Sequence, residues 1–413
     1  MKMRLDLGLA NSLSAAARTR RAAGRLLLVA VAAVFAADVF IATARAAEQR
    51  AFAEGRSGGG ELRYINDIPV LIVTGTPEDF GRQTAALTGD VVRKLIVYPE
   101  KLLQRRSNAK DRLPKCIEMC KLLLPQLSDD HRAELRAVAE QLGVDRELGL
   151  LGNMLPDVYR GGFACSSLTV DAAHSATKGP LFGRNLDFYT IGILDKYGLV
   201  TVHRPTGKHA FVTIGFPGML GCLSGMNDAG LAVAAHEVYL SRDGAPMFNP
   251  KGEPYTFCFR RILEECATTA EAEKLLRAAG RTTILSLAVC DRKGGVVLEM
   301  TPTSVAARRG GNDGILACTN HFRTDELAMP LFLGCSRYRK LTEGRTPEAM
   351  TVSDVGRRLH AANLGTMTVQ TMVFEPAALK LHLAIGSCPS SALPMKELDL
   401  KPLFAGETEK KKR

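Results

Sequence analysis

Cys165-Ser166-Ser167-Leu168-Thr169-Val170 and Leu181-Phe182-Gly183-Arg184-Asn185-Leu186-Asp187-Phe188 are the two runs whose reading decides the fold. Each is a short β-type run, and the turn-forming residues between His174 and Pro180 join them as a hairpin. In a hairpin centred near residue 176, the start of the first strand faces the end of the second. Arg184 and Asp187 therefore fold back beside Cys165. A free thiol has a pKa of about 8.5, and a guanidinium next to it favours the thiolate. Arg184 is read as that activating charge. If Cys165 became a chain terminus, its α-amino group would take the thiol proton and Asp187 would orient the amine. Residues three apart on a regular strand point to opposite faces, so a bulge is expected beside Asn185. The plainer alternatives are a small core cysteine and a surface ion pair.

Upstream, residues 62–164 read as one strand followed mostly by helices. Ile68 to Val73 is β-rich, and Thr76-Pro77-Glu78-Asp79 carries an N-cap, an early proline and first-turn acids. Helical patterns cover Asp130 to Gln141, with Ser128 as cap and Gly143 as stop, and Asp145 to Tyr159. Downstream, residues 165–404 are mainly short strands: Leu199 to His203, Phe211 to Phe216, Leu231 to Val238, and later Ile315 to Cys318, Thr368 to Phe374 and Lys380 to Ile385. A helical insert spans Thr256 to Ala279, and Asp291-Arg292-Lys293-Gly294-Gly295 turns between Leu285–Val289 and Val296–Met300. Helices gathered in blocks beside many antiparallel strands argue for α+β layers. The two segments meet at Cys165.

The 413-residue chain is 46% hydrophobic and 23% charged, an ordinary globular composition. Residues 1–46 read as a signal peptide: basic residues precede the apolar run Leu26 to Ala37, and Ala44-Arg45-Ala46 offers the cleavage site. Export to the periplasm or outside the cell is expected; the alternative is an uncleaved segment that anchors the chain. Thr19-Arg20-Arg21 hints at twin-arginine export without the apolar residues that should follow the pair. The formal charge of +11 falls to +6 once this piece is removed, and four more positive charges form the tail from Lys410 to Arg413. No basic stripe with interleaved aromatics remains, which excludes a nucleic-acid binder. Residues 47–61, with Gly58-Gly59-Gly60, read as a flexible leader, and residues 405–413 as a basic tail. The ten cysteines show no dense disulfide framework, and Cys116 and Cys120 read as buried thiols rather than metal ligands.

With these residues in place, the chain resembles the N-terminal nucleophile hydrolases of the linear-amide group. The likeness is to the acyl-CoA:6-aminopenicillanic acid acyltransferase family in particular, with choloylglycine hydrolases and acid ceramidases as more distant relatives. The segments that carry it run in order: Gly75 to Gly81, Cys165-Ser166-Ser167, Gly183 to Phe188, Gly225-Met226-Asn227-Asp228-Ala229-Gly230-Leu231, Thr319-Asn320-His321-Phe322, Ser336-Arg337-Tyr338 and Val373-Phe374-Glu375-Pro376. The resemblance implies a four-layer αββα sandwich made as a zymogen and cut by its own nucleophile between Ala164 and Cys165. It also implies that Asn320 donates to the oxyanion through its side chain, that Asn227 lines the site with a backbone or side-chain donor, and that Arg337 is a site arginine.

The expected activity is hydrolysis of a linear amide, or acyl transfer, through an acyl-Cys165 intermediate. The substrate is a small N-acyl amide, and no metal or organic cofactor is needed. No stable membrane insertion is expected, and homo-oligomer formation is left open. Two other readings stand beside it: a non-catalytic relative that binds acylated or lipid-like ligands, and a Cys–His thiol hydrolase using His321 or His236 as base. Residues 239–256 are the expected pocket loop. The stretch from Cys165 to Arg184 is longer than in ceramidase-type relatives.

Overall fold

The computed structural model describes residues 50–105, 109–311, 313–332, 334–343 and 349–406. The signal segment and all but the first two residues of the basic tail lie outside them. The chain runs β1 (Gly55–Ser57), β2 (Gly60–Ile65), β3 (Ile68–Gly75), α1 (Pro77–Leu95), α2 (Tyr98–Leu103), α3 (Ala109–Leu123), α4 (Asp129–Leu142) and α5 (Arg146–Val158). Then come β4 (Phe163–Val170), β5 (Leu181–Phe188), β6 (Leu199–Pro205), β7 (Phe211–Gly215), β8 (Ser224–Asn227) and β9 (Ala232–Glu237). After α6 (Tyr255–Glu265) and α7 (Thr269–Ala278) follow β10 (Leu285–Cys290), β11 (Gly295–Met300), β12 (Val305–Arg309) and β13 (Ile315–Cys318). The last elements are α8 (Ser336–Thr342), α9 (Val352–Ala361), β14 (Thr368–Glu375), β15 (Lys380–Ala384), β16 (Lys396–Asp399) and α10 (Lys401–Phe404).

Local chemistry starts and stops these elements as the sequence suggests. Thr76 and Asp79 form a reciprocal capping box ahead of α1, Ser128 accepts from the His131 amide, and Gly143 ends α4 with φ of 61°. Of the stretch read as a flexible leader, residues 47–49 lie outside the described ones, and residues 55–61 are built into the fold. Gly58 and Gly59, with φ of 57° and 100°, make the two-residue turn between β1 and β2, which Ser57 and Gly60 close. The helical insert breaks into α6 and α7 where Thr268 caps the second helix. β4 begins two residues before Cys165, so the strand crosses the Ala164–Cys165 bond.

Two sheets result, ten strands in the order β1-β2-β3-β6-β7-β8-β9-β10-β11-β12 and six in the order β13-β4-β5-β14-β15-β16. Their facing sides bury one apolar core, with Val70, Val202, Ala234 and Val297 from the larger sheet against Phe182, Leu316 and Met372 from the smaller. On the outer side of the smaller sheet, Leu168, Val170 and Val373 pack against Leu341 of α8 and Val355 and Leu359 of α9. On the outer side of the larger sheet, Phe80 of α1 meets His203 edge-on at 5.5 Å and Arg260 of α6 lies over Phe211. The architecture is an αββα sandwich. No described helix is long and apolar enough to cross a membrane.

Candidate active site

The β4–β5 hairpin pairs without interruption from Phe163↔Phe188 to Val170↔Leu181. Strand alternation then fixes which side chains share a face. Phe163, Cys165 and Ser167 look into the space between the sheets with their partners Phe188, Leu186 and Arg184. Ala164 and Ser166, with Asp187 and Asn185, look toward the helices. Arg184 and Asp187 thus lie on opposite faces, and no bulge stands beside Asn185. The irregularity is in the neighbouring strand β14, between Thr368 and Gln370, opposite the end of β5. It lets Thr368 Oγ1 donate to Asp187 Oδ1 at 2.6 Å.

Arg184 is fully buried and donates through Nε to Ser224 Oγ at 2.9 Å and through Nη1 to Ala235 O at 2.6 Å. Its positive charge favours the thiolate form of Cys165. Burial nonetheless pushes that thiol up, outweighing the pull of Arg184. In this uncut chain Cys165 is therefore a protonated thiol. Burial likewise pushes the Asp187 carboxyl up to about 6, against Thr368, Arg337 and Arg184.

The Cys165 backbone is held from both sides. Its N–H donates to Asn320 Oδ1 at 2.8 Å, and its carbonyl accepts from Arg337 Nη1 at 2.6 Å. Arg337 Nη2 also donates to Asn320 Oδ1 at 2.8 Å. Two donors converging on one atom fix it as the amide oxygen. The Asn320 nitrogen then points away, donating to Glu237 O at 2.8 Å. The expected oxyanion donor is thus committed to a carbonyl in the uncut chain.

Asn227 is not brought into the site. Its Nδ2 donates to Leu263 O and Cys266 O at the end of α6, and its Oδ1 accepts from the Leu231 amide. Its own N–H donates to Leu231 O at 3.0 Å, so backbone and side chain together staple a turn to a helix end, which corrects its reading as a backbone or side-chain donor in the site. The two histidines considered as bases bond elsewhere: His321 to Thr319 and Arg323, and His236 to Ala234 O.

Two further residues grip the segment before Cys165. Glu237 accepts from the Gly161 and Phe163 amides at 3.0 and 3.1 Å and pairs with Arg160 at 3.2 Å. Tyr239, within the expected pocket loop, donates to Phe163 O at 2.7 Å. A carboxylate inside the largely apolar run Leu231 to Val238 was the signal available for Glu237. Next to this segment lies an apolar cavity of about 450 Å³ between α1, α4, α5 and the hairpin. Val92, Leu142, Leu155 and Phe216 line it, and the stacked rings of Phe163 and Phe188, 4.1 Å apart, form its wall on the hairpin side. Cys116 and Cys120 are buried thiols on α3, and among the described residues no group of His, Cys, Asp and Glu is arranged to hold a metal.

Residues 175–330 match the family acyl-coenzyme A:6-aminopenicillanic acid acyl-transferase, the family the sequence resembles. The match takes in Arg184, Asp187, Asn227 and Asn320 and begins ten residues after Cys165. No curated protein matches. Among solved structures, a Caenorhabditis elegans N-acylethanolamine-hydrolyzing acid amidase ortholog is similar at 18% identity and a TM-score of 0.41, covering 51% of this chain and 93% of its own. A conjugated bile acid hydrolase variant from Clostridium perfringens gives 14%, 0.41, 59% and 95%. A penicillin V acylase from Agrobacterium tumefaciens gives 13%, 0.40, 57% and 86%. At such scores none of the three bears on what this chain acts on.

Proposed function

We propose that the chain is a self-processing amidohydrolase whose nucleophile, Cys165, becomes an N-terminus. The observation that carries this is the grip on both sides of the Ala164–Cys165 bond. Glu237 and Tyr239 hold residues 161–163, while Asn320 and Arg337 hold the Cys165 N–H and carbonyl. In the processing step, Sγ attacks the Ala164 carbonyl carbon and the C–N bond breaks as the amine takes up a proton. The resulting thioester is hydrolysed by water to an Ala164 carboxylate and a free Cys165 thiol.

In turnover the new α-amino group takes the thiol proton, replacing the base the uncut site lacks. It arises where Asn320 Oδ1 already accepts the Cys165 N–H. Arg184 stabilises the thiolate that attacks the substrate amide. The leaving amine departs with the proton, and water cleaves the acyl-Cys165 thioester. Asn320 supplies an oxyanion donor by releasing Glu237 O; such a donor contributes about 3–4 kcal/mol to a transition state. The apolar cavity beside Phe163 suits the acyl group of the substrate. Export, as expected from the first 46 residues, would separate the enzyme from cytosolic acyl donors and favours water as the acceptor.

Denaturing mass analysis of purified protein tests the reading. We expect a second chain beginning at Cys165, and a Cys165→Ala chain that stays whole and inactive. An active preparation in which the wild-type chain is uncut would overturn self-processing. One observation favours a second reading: Cys165 is only 1% exposed and walled off by Phe163. A chain that never cuts would bind an acyl ligand in the cavity without turning it over.

A further inference from the structure

A polar layer crosses the space between the sheets next to Cys165. The smaller sheet contributes Cys165, Ser167, Arg184 and Cys318, the last paired with Ser167. The larger contributes Ser224, His236, Ser286 and Glu299, with Ser286 paired to both His236 and Glu299. Deeper in, Ala234, Ala288, Val297 and Leu316 belong to the apolar core. Four atoms of the layer have no protein partner: Ser167 Oγ, Arg184 Nη2, His236 Nε2 and Ser286 Oγ. Their residues are at most 1% exposed. Buried polar atoms are rarely left unpaired, and several in one layer point to a shared non-protein partner.

Their chemistry identifies it. His236 Nδ1 lies 3.1 Å from Ala234 O, which can only accept, so the proton sits on Nδ1 and Nε2 keeps its lone pair. Burial, then Arg184, holds the imidazole well below its ordinary range, hence neutral. Arg184 Nη2 can only donate. A molecule that donates to one and accepts from the other, and that suits hydroxyls on either terms, is water. Other charged groups around the layer are Glu299 with Arg308 at 3.5 Å, and Arg337.

We propose that ordered water fills this layer and that His236 is a positioning residue: water donating to His236 Nε2 and accepting from Arg184 Nη2 fixes the guanidinium that faces the Cys165 thiol. The kinetic part rests on Cys165 being the nucleophile. The first test is a crystal structure of the full-length Cys165→Ala chain. Ordered water within hydrogen-bonding distance of both His236 Nε2 and Arg184 Nη2 is expected; a dry layer, or these atoms paired with protein, overturns the proposal. The second compares His236→Leu with His236→Gln in processed enzyme. For His236→Leu, kcat falls about tenfold with KM held. The pH midpoint of Cys165 alkylation rises by about one unit. Glutamine, which keeps an acceptor, restores most of both. Wild-type kcat and midpoint in His236→Leu overturn the positioning role, and if that variant fails to fold, an unrescued His236→Gln does so. Activity retained by Cys165→Ala would sink the nucleophile reading, while the crystallographic waters still decide the layer.

Discussion

Arg184 and Arg260 are both arginines taken out of water, 0% and 2% exposed, yet they sit in opposite surroundings. Arg260, between α6 and the larger sheet, meets Glu134 at 2.7 Å, Glu264 at 2.8 Å and Leu220 O at 2.9 Å. Among the described residues Arg184 has no carboxylate within salt-bridge distance; its bonds go to a hydroxyl and a carbonyl, and its charge acts on the Cys165 thiol. The charge of Arg260 is neutralised by its own network and ties α4 to α6. The charge of Arg184 is left facing a thiol that is neutral in the uncut chain and, on the proposed function, anionic in turnover. A buried cation without a counter-ion is costly to stability, which makes it a marker of chemistry.

The largest expected effect breaks or keeps this contrast. In a Cys165→Ala background, where no chain is cut, Arg260→Met should lose roughly 3–5 kcal/mol in urea denaturation because it strands Glu134 and Glu264. Arg184→Met should stay within about 1 kcal/mol, since an apolar group replaces an unpaired charge. In the wild-type background, Arg184→Met should abolish cleavage. Equal destabilisation by the two substitutions would dissolve the distinction.

Asp187 comes next. Its folded pKa of about 6 exceeds the unfolded value of about 3.9, so the folded state holds the proton more tightly. The stability this contributes is full below about pH 4 and is lost as pH rises through about 6. Asp187→Asn removes that dependence. Between about pH 4 and pH 7 the variant should gain up to about 3 kcal/mol on the wild type, again in uncut chains. A constant difference across that window would mean Asp187 is ionised throughout.

The smallest effect compares two thiols. Cys165 beside Arg184 is pushed up by burial, whereas Cys335 is half-buried: burial opposes, but His321, the Tyr338 amide, Thr319 and Arg337 together bring it down to about 6. In the uncut chain, iodoacetamide should label Cys335 first, with a midpoint near that value. Cys388, pushed up to about 11 by burial, should react far more slowly at neutral pH. Preferential labelling of Cys165 would show that exposure does not separate the two.

What the sequence revealed of this site follows the range of the interactions involved. The hairpin was legible because its register depends on alternation and a turn within twenty-odd residues, and Arg184 and Asp187 fell opposite Ser167 and Ala164 as that register requires. Asn227 misled because the same Asn-Asp-Ala-Gly run serves equally well to staple a turn, and only the distant carbonyls of Leu263 and Cys266 show that it does. Glu237 was missed because the amides it binds lie 74 and 76 residues earlier. The glycines at 58–60 read as slack when they form a tight turn, since glycine supports both. The bulge fell in β14 rather than β5 because a strand's neighbour can absorb an irregularity that the strand itself does not show.

The path of β4 across the Ala164–Cys165 bond has one more consequence for the proposed cut. Phe163 and Ala164 pair with Phe188 and Asp187 inside the smaller sheet, while β3, from the same upstream segment, pairs in parallel with β6 of the larger. Cutting at Cys165 would therefore divide the chain without dividing the molecule. The two products would share strands in both sheets, and the upstream piece would end in a carboxylate still seated next to the nucleophile. The cut protein would behave as an obligate heterodimer born from one gene product: it would elute at the mass of the whole, and neither piece would refold alone.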